Sequence, residues 1–128
     1  TAVGGVAFAI LFLWQLPHFY ALAWRLRDDY ARGGFAMLPS VDPTGHSTSR
    51  MALGATLLLL VVGLLPTALG AAGWLYFVGM AALGMAFTIP AFSFAAEPSD
   101  PRARRLLLGS IFYLPIFFVL LVLDYAMR

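Results

Sequence analysis

Long runs without charge alternate along this chain with short polar segments. No charged side chain occurs between Met51 and Ala96, an interval far longer than the roughly 20 apolar residues that cross a bilayer. The interval therefore predicts two spans joined by a tight turn, and the flanking apolar runs add one more on each side. The expected spans cover about 3–24, 51–70, 74–95 and 103–125, with polar loops over 25–50 and 96–102. Because the runs are continuously apolar rather than alternating, helices are expected and a β-barrel is not. The fold class is all-α, a polytopic transmembrane helix bundle.

Punctuation residues refine this outline. Pro17, Pro90 and Pro115 fall inside spans, where each removes a backbone donor and favours a kink. Ser47, Thr48 and Ser49 precede the second span and are candidates to cap its free N–H groups. Pro66, Gly70 and Gly73 permit the reversal between spans two and three. Trp74, Tyr76 and Phe77 follow it, where an interfacial aromatic belt is expected. In the last polar segment, EPSDPRARR, Asp100 can cap the following helix and Pro101 suits the first helical position.

Composition supports the class. Hydrophobic residues make up 62% and charged residues 11% of the chain, against about a quarter charged in soluble domains. The absence of cysteine excludes disulfides and thiolate metal sites. The chain opens at Thr1 and enters an apolar run with no basic n-region or cleavage signal, which reads as part of a longer membrane protein rather than a signal peptide.

The net charge of +2 matters less than its placement. Segments 25–50 and 97–105 carry seven of the eight arginines. Four spans put both segments on one side, and the positive-inside rule makes that side cytoplasmic. The turn at 66–73 and the C-terminus then face outward.

The candidate chemistry lies where span one meets the first polar segment. Continued as a helix at 100° per residue, Gln15, His18, Arg25 and Asp29 fall within about an 80° stripe, interrupted by Leu22. Asp28 lies about 100° from Asp29, beside Arg25. Ionisable groups in a bilayer usually face a bundle interior or a wet cavity, so the stripe suits one wall of a polar pocket. The same residues also suit a packed neutral histidine followed by an ordinary solvated helix end with surface ion pairs. Arg102, Arg104 and Arg105 are accounted for by topology, and His46 by its polar loop. There is no GxxxxGK[ST], HExxH or GxSxG motif, and no nucleic-acid partner is expected.

The stretch FLWQLPHFYALAWRLRDDYARGGFAMLPSVDP resembles the central signature of the protohaem IX farnesyltransferases (haem O synthases), a branch of the UbiA-type intramembrane prenyltransferases. The pattern is carried by Trp14, by Pro17, His18 and Phe19, by Leu22 and Ala23, by Asp29 and Tyr30, by Gly34, and by Met37, Leu38 and Pro39. LLPTALGAAGWLY and ARRLLLGSIFYLPIFFVLLVLD also resemble the family's later spans, so the likeness covers nearly the whole chain.

The resemblance implies a nine-helix bundle of which this chain supplies the last four helices. It also implies transfer of a farnesyl group from farnesyl diphosphate to a vinyl group of haem B, with Mg²⁺ held by two acidic motifs. Asp28 and Asp29 match the second motif and are the expected metal ligands. Arg25 and Arg27 are expected to face the diphosphate, and His18, Gln15 and Trp14 to contact the haem. The first motif is absent, so an N-terminal half is the expected partner and this part alone is expected to be inactive. A carboxylate common in the wider family stands about four residues before the Asp-Tyr pair, and here that position is Arg25. The expected location is a bacterial cytoplasmic (inner) membrane, with the active-site loops on the cytoplasmic side. Two other readings fit the residues: a prenyltransferase acting on a quinone or chlorin precursor, and a non-enzymatic haem-binding or transport bundle using His18.

Overall fold

The computed structural model describes residues 2–33 and 45–127. Their order is α1 (Ala2–Arg25), α2 (Arg27–Arg32), α3 (His46–Gly63), α4 (Leu65–Ala68), α5 (Trp74–Ala96) and α6 (Asp100–Ala126). There is no strand among the described residues. Helices over Ala2–Arg25, His46–Ala68, Trp74–Ala96 and Asp100–Ala126 are each long and apolar enough to cross a membrane. Here α3 and α4 count as one span, separated by a single turn at Leu64.

The four long helices form a closed ring. Helix α1 packs on α3, α3 on α5, α5 on α6, and α6 back on α1, whereas diagonal partners make little or no contact. Ile10 and Leu13 from α1, Leu59 from α3, Met80 and Phe87 from α5, and Tyr113 and Phe117 from α6 share one core. The outer faces carry Phe8, Ile89, Phe92, Phe112 and Val122. Such exposed apolar residues would be a liability in water but suit a hydrocarbon surround.

Three local expectations are corrected. The second span starts at His46, not near Met51, and its N-cap is Gly45 with φ 79°. Thr48 and Ser49 are buried inside the helix, and Ser49 donates its hydroxyl back to the His46 carbonyl, a bond that lets serine sit within a helix. A Cβ on Gly45 would lie 2.6 Å from the Trp24 ring and 2.8 Å from Pro98. Both the left-handed backbone and the close approach therefore require glycine there.

At the start of α6 the cap is Ser99, which accepts from the Arg102 N–H, rather than Asp100. Asp100 is turned to another use, described below. Tyr76 is not part of an interfacial belt: it is fully buried, and its phenol donates to the Gly63 carbonyl at 2.7 Å. Trp74 and Phe77 do stay exposed at that level.

The turn between spans two and three is closed from a distance. Asp124, only 3% exposed near the end of α6, accepts from the N–H of Gly73 at 2.8 Å and of Tyr76 at 3.2 Å. These are the N-cap and third-position donors of α5, which no intrahelical carbonyl can serve. The carboxylate also sits at the positive end of the α5 dipole.

Replacing Asp124 with Ala strands two donors, of which the buried Tyr76 N–H alone costs about 1–3 kcal/mol. The Asp124→Ala variant should therefore unfold at a clearly lower temperature in detergent, and Asp124→Asn, which keeps one acceptor oxygen, by less. An Ala variant that melts with the parent would show that the cap carries no stability. Gly45→Ala should also lower the midpoint, by at least about 1 kcal/mol for the left-handed backbone alone.

Candidate functional site

Two neighbouring regions hold the groups suited to chemistry: the seam between α1 and α6, and the arginine-bearing end of the bundle.

At the seam, two aromatic side chains from α1 converge on one residue of α6. The Trp14 indole N–H donates to the Ser110 carbonyl at 2.8 Å. The His18 Nδ1 lies 2.7 Å from Ser110 Oγ. The Trp14 and His18 rings stack at 5.1 Å, one turn apart on the helix. Ser110 is fully buried, and its own hydroxyl donates to the Leu107 carbonyl at 2.6 Å. With the serine proton on the Leu107 carbonyl, the hydroxyl oxygen is the acceptor and His18 donates through Nδ1. A neutral imidazole with its proton on Nδ1 keeps its lone pair on Nε2. That arrangement leaves Nε2 available as a base or metal ligand.

At the end of the bundle the arginines divide into two sets. Arg27 is fully engaged. It donates to the Trp24 carbonyl at 2.7 Å, pairs with Asp100 at 2.7 Å, and lies 4.1 Å from the centre of the Trp24 ring. Arg102 bonds the carbonyl and hydroxyl of Ser93 and pairs with Glu97 at 3.4 Å, fastening the α5–α6 turn. Arg32 pairs with Asp29 across one turn. By contrast, Arg25, Arg104 and Arg105 make no ion pair among the described residues. All three line an open groove of about 500 Å³ between α1 and α6, with Asp100, Pro101 and Leu108.

These contacts place the segment after span one and the segment before span four at the same end, as the span count requires. They do not bring all the expected site residues together. Trp14 and His18 meet at the seam, while Gln15 is exposed on α1 away from Ser110. Arg25 enters the groove. Arg27 is instead a structural clamp, turned by the break at Leu26 between α1 and α2.

Asp28 and Asp29 lie exposed in the first turn of α2. No group of three or more His, Cys, Asp or Glu residues able to hold a metal occurs among the described residues. Two carboxylates nonetheless suit a hard cation such as Mg²⁺, which keeps waters and takes its other oxygens from a phosphate substrate. The motif elements Gly34, Met37, Leu38 and Pro39 lie outside the described residues.

Sequence reasoning missed Ser110, Asp100 and the pairing of Arg104 with Arg105 as groove walls. A lone serine in an otherwise mostly apolar span was the available signal for Ser110. For Asp100, the competing role of capping residue hid the ion pair.

The bundle is thus an integral membrane domain whose reactive groups gather on one seam and one charged rim. It belongs to the UbiA prenyltransferase family, whose sequence profile matches residues 1–123. Among curated proteins it is 47% identical over 124 residues to the protoheme IX farnesyltransferase of Solibacter usitatus, covering 97% of this chain and 42% of that protein. It is 44% identical over 124 residues to the protoheme IX farnesyltransferase of Salinibacter ruber, covering 97% and 44% respectively. A third relative of that name, from Koribacter versatilis, is 44% identical over 91% of this chain and 40% of its own length. The chain therefore spans roughly two fifths of the curated relatives it matches. No solved structure matches it.

The tautomer is directly measurable. In protein carrying ¹⁵N-histidine and a His46→Gln change, the His18 resonances should report a proton on Nδ1. Ser110→Ala should shift the population toward the Nε2–H form. An Nε2–H imidazole in the parent would overturn the bonding pattern assigned to the seam.

Proposed function

We propose that this chain is the C-terminal part of a protoheme IX farnesyltransferase, which converts haem B to haem O in a bacterial cytoplasmic membrane. The observation that carries the reading is the joint presence, toward one end of one bundle, of an exposed carboxylate pair and an imidazole held against Ser110. The identity of 44–47% to proteins of that name supports it. The arginine bias supports a cytoplasmic position for the charged end, where a diphosphate substrate is available.

In the proposed reaction the C–O bond of farnesyl diphosphate breaks with the electron pair leaving on the diphosphate. The allylic carbon is attacked by the π electrons of a haem vinyl group. Water adds to the cation so formed and loses a proton, giving the hydroxyl of the product. The balance is haem B, farnesyl diphosphate and water to haem O and diphosphate.

The chain's own groups supply three parts of this. Asp28 and Asp29 would hold Mg²⁺, which when bound neutralises charge on the leaving diphosphate. Arg25, free of internal ion pairs, adds a positive charge at the same end. His18, fixed by Ser110 and stacked on Trp14, offers Nε2 to the haem face or its iron. The bundle's apolar outer surface suits the farnesyl chain and the lipid bilayer, and no nucleic acid takes part. A first acidic motif, needed for the other half of the metal site, would come from the preceding part of the protein.

The full-length enzyme in membranes, given haem B, farnesyl diphosphate and Mg²⁺, should form haem O, and chelation of the metal should stop it. Asp28→Ala and Asp29→Ala should each lower kcat by at least about a hundredfold, the scale for losing electrostatic stabilisation of a leaving group. Full activity in both variants would remove the acidic pair from the site.

A further inference from the structure

Arg25, Arg104 and Arg105 are left over by every contact described so far. Three other arginines at this end have found carboxylates: Arg27 has Asp100, Arg32 has Asp29, and Arg102 has Glu97. Arg50 makes no ion pair among the described residues but does not line the groove. The three unpaired guanidinium groups converge on one groove of about 500 Å³, and its single acid, Asp100, is already neutralised by Arg27. Adjacent uncompensated cations repel one another and call for an anion. Positive-inside topology explains why arginine lies on this side, but not why three of them surround one concavity.

The groove is also continuous in position with the imidazole seam. Arg25 follows His18 by seven residues, which returns it to nearly the same face of α1 about 10 Å along the axis, toward the charged end. Both sites use α1 and α6 as walls. Haem B is a planar macrocycle with a central metal, two carboxylate arms on one edge, and vinyl groups on the pyrroles away from them. Its centre and its carboxylate edge are separated by an interval of that size.

We infer that the arginine groove is the carboxylate subsite of the haem acceptor, in which Arg104 and Arg105 bind its two propionates. This rests on the proposed farnesyltransferase reading and adds an orientation to it. The macrocycle stands along the α1–α6 seam with its propionates at the aqueous rim and its centre at the level of His18. The vinyl edge then lies deeper in hydrocarbon, where the farnesyl chain is soluble. Planar guanidinium groups suit this task because each can grip a carboxylate through two parallel hydrogen bonds.

The test compares full-length parent enzyme with Arg104→Gln/Arg105→Gln and with Arg104→Lys/Arg105→Lys, using haem B and its dimethyl ester as acceptors. The Gln pair should raise KM for haem B at least about tenfold, as expected for losing charge-assisted bonds, with KM for farnesyl diphosphate unchanged. The parent should bind the diester as poorly as the Gln variant binds the acid, and that variant should no longer distinguish the two. The Lys pair, which preserves charge and topology, should fall between. An unchanged KM for haem B, or a rise confined to farnesyl diphosphate, overturns the subsite. Should the Gln pair fail to insert, equal KM values for haem B and diester in the parent overturn it. A parent that transfers no farnesyl group to haem overturns the functional reading itself, whereas an active parent with an unaffected Gln variant overturns only the subsite.

Discussion

Polar groups placed in hydrocarbon have no water to fall back on, so most of those here are satisfied by the chain itself, the buried Tyr113 phenol being an exception. Much of this structure follows from that constraint. The Trp14 indole, the His18 imidazole and the Ser110 hydroxyl close on one another and on backbone carbonyls. The Tyr76 phenol reaches Gly63, and Thr56 and Thr88 bond carbonyls one turn back in their own helices. Because the bonds of Trp14, His18 and Tyr76 join different helices, satisfying these groups also fixes which helices are neighbours. The α1–α6 contact is the clearest case. An apolar pair of helices can slide or rotate on one another, but a serine that serves two aromatic side chains sets both depth and rotation.

The same constraint sorts the functional candidates. A group whose bonding capacity is used up internally holds the fold, and one with capacity left over is available to a ligand. Arg27, with a carbonyl, a carboxylate and a ring face around it, belongs to the first kind. Arg25, two residues away, belongs to the second. Their adjacency in sequence conceals the division, which arises because the helix breaks at Leu26 and turns one side chain back onto Trp24. Binding at the groove then needs little reorganisation, since the clamp that shapes it is already closed in the free protein.

Much of the fold was legible from hydropathy alone, because a bilayer imposes length and polarity on each span. The charge-free interval from Met51 to Ala96 and the clustered arginines were enough to give four helices and to put two segments at one end. Boundaries were less legible. The second span gains a turn before Met51 because the Ser49 hydroxyl can bond within a helix, and because Gly45 lets the chain pass beneath Trp24. The site was legible only in part. Trp14 and His18 sit one turn apart, and that periodicity is visible in one dimension. Their meeting with Ser110, 92 residues beyond His18, depends on ring closure between the first and last spans, which no local pattern encodes. The choice of Ser99 over Asp100 as cap was hidden for the same reason, since Arg27 competes for Asp100 from far along the chain.

The bond from Asp124 to the start of α5 also has a consequence for the order of events during synthesis. The Gly73 and Asp124 partners are 51 residues apart, so the third span is made and reaches the membrane well before its capping carboxylate exists. Until then the first N–H groups of α5 depend on water at the interface, and that end of the helix is free to shift in depth. Emergence of the last turn of α6 removes this freedom. The final span therefore acts as a latch: it closes the ring on α1 through Ser110 at mid-depth and locks the height of α5 through Asp124 at the far face.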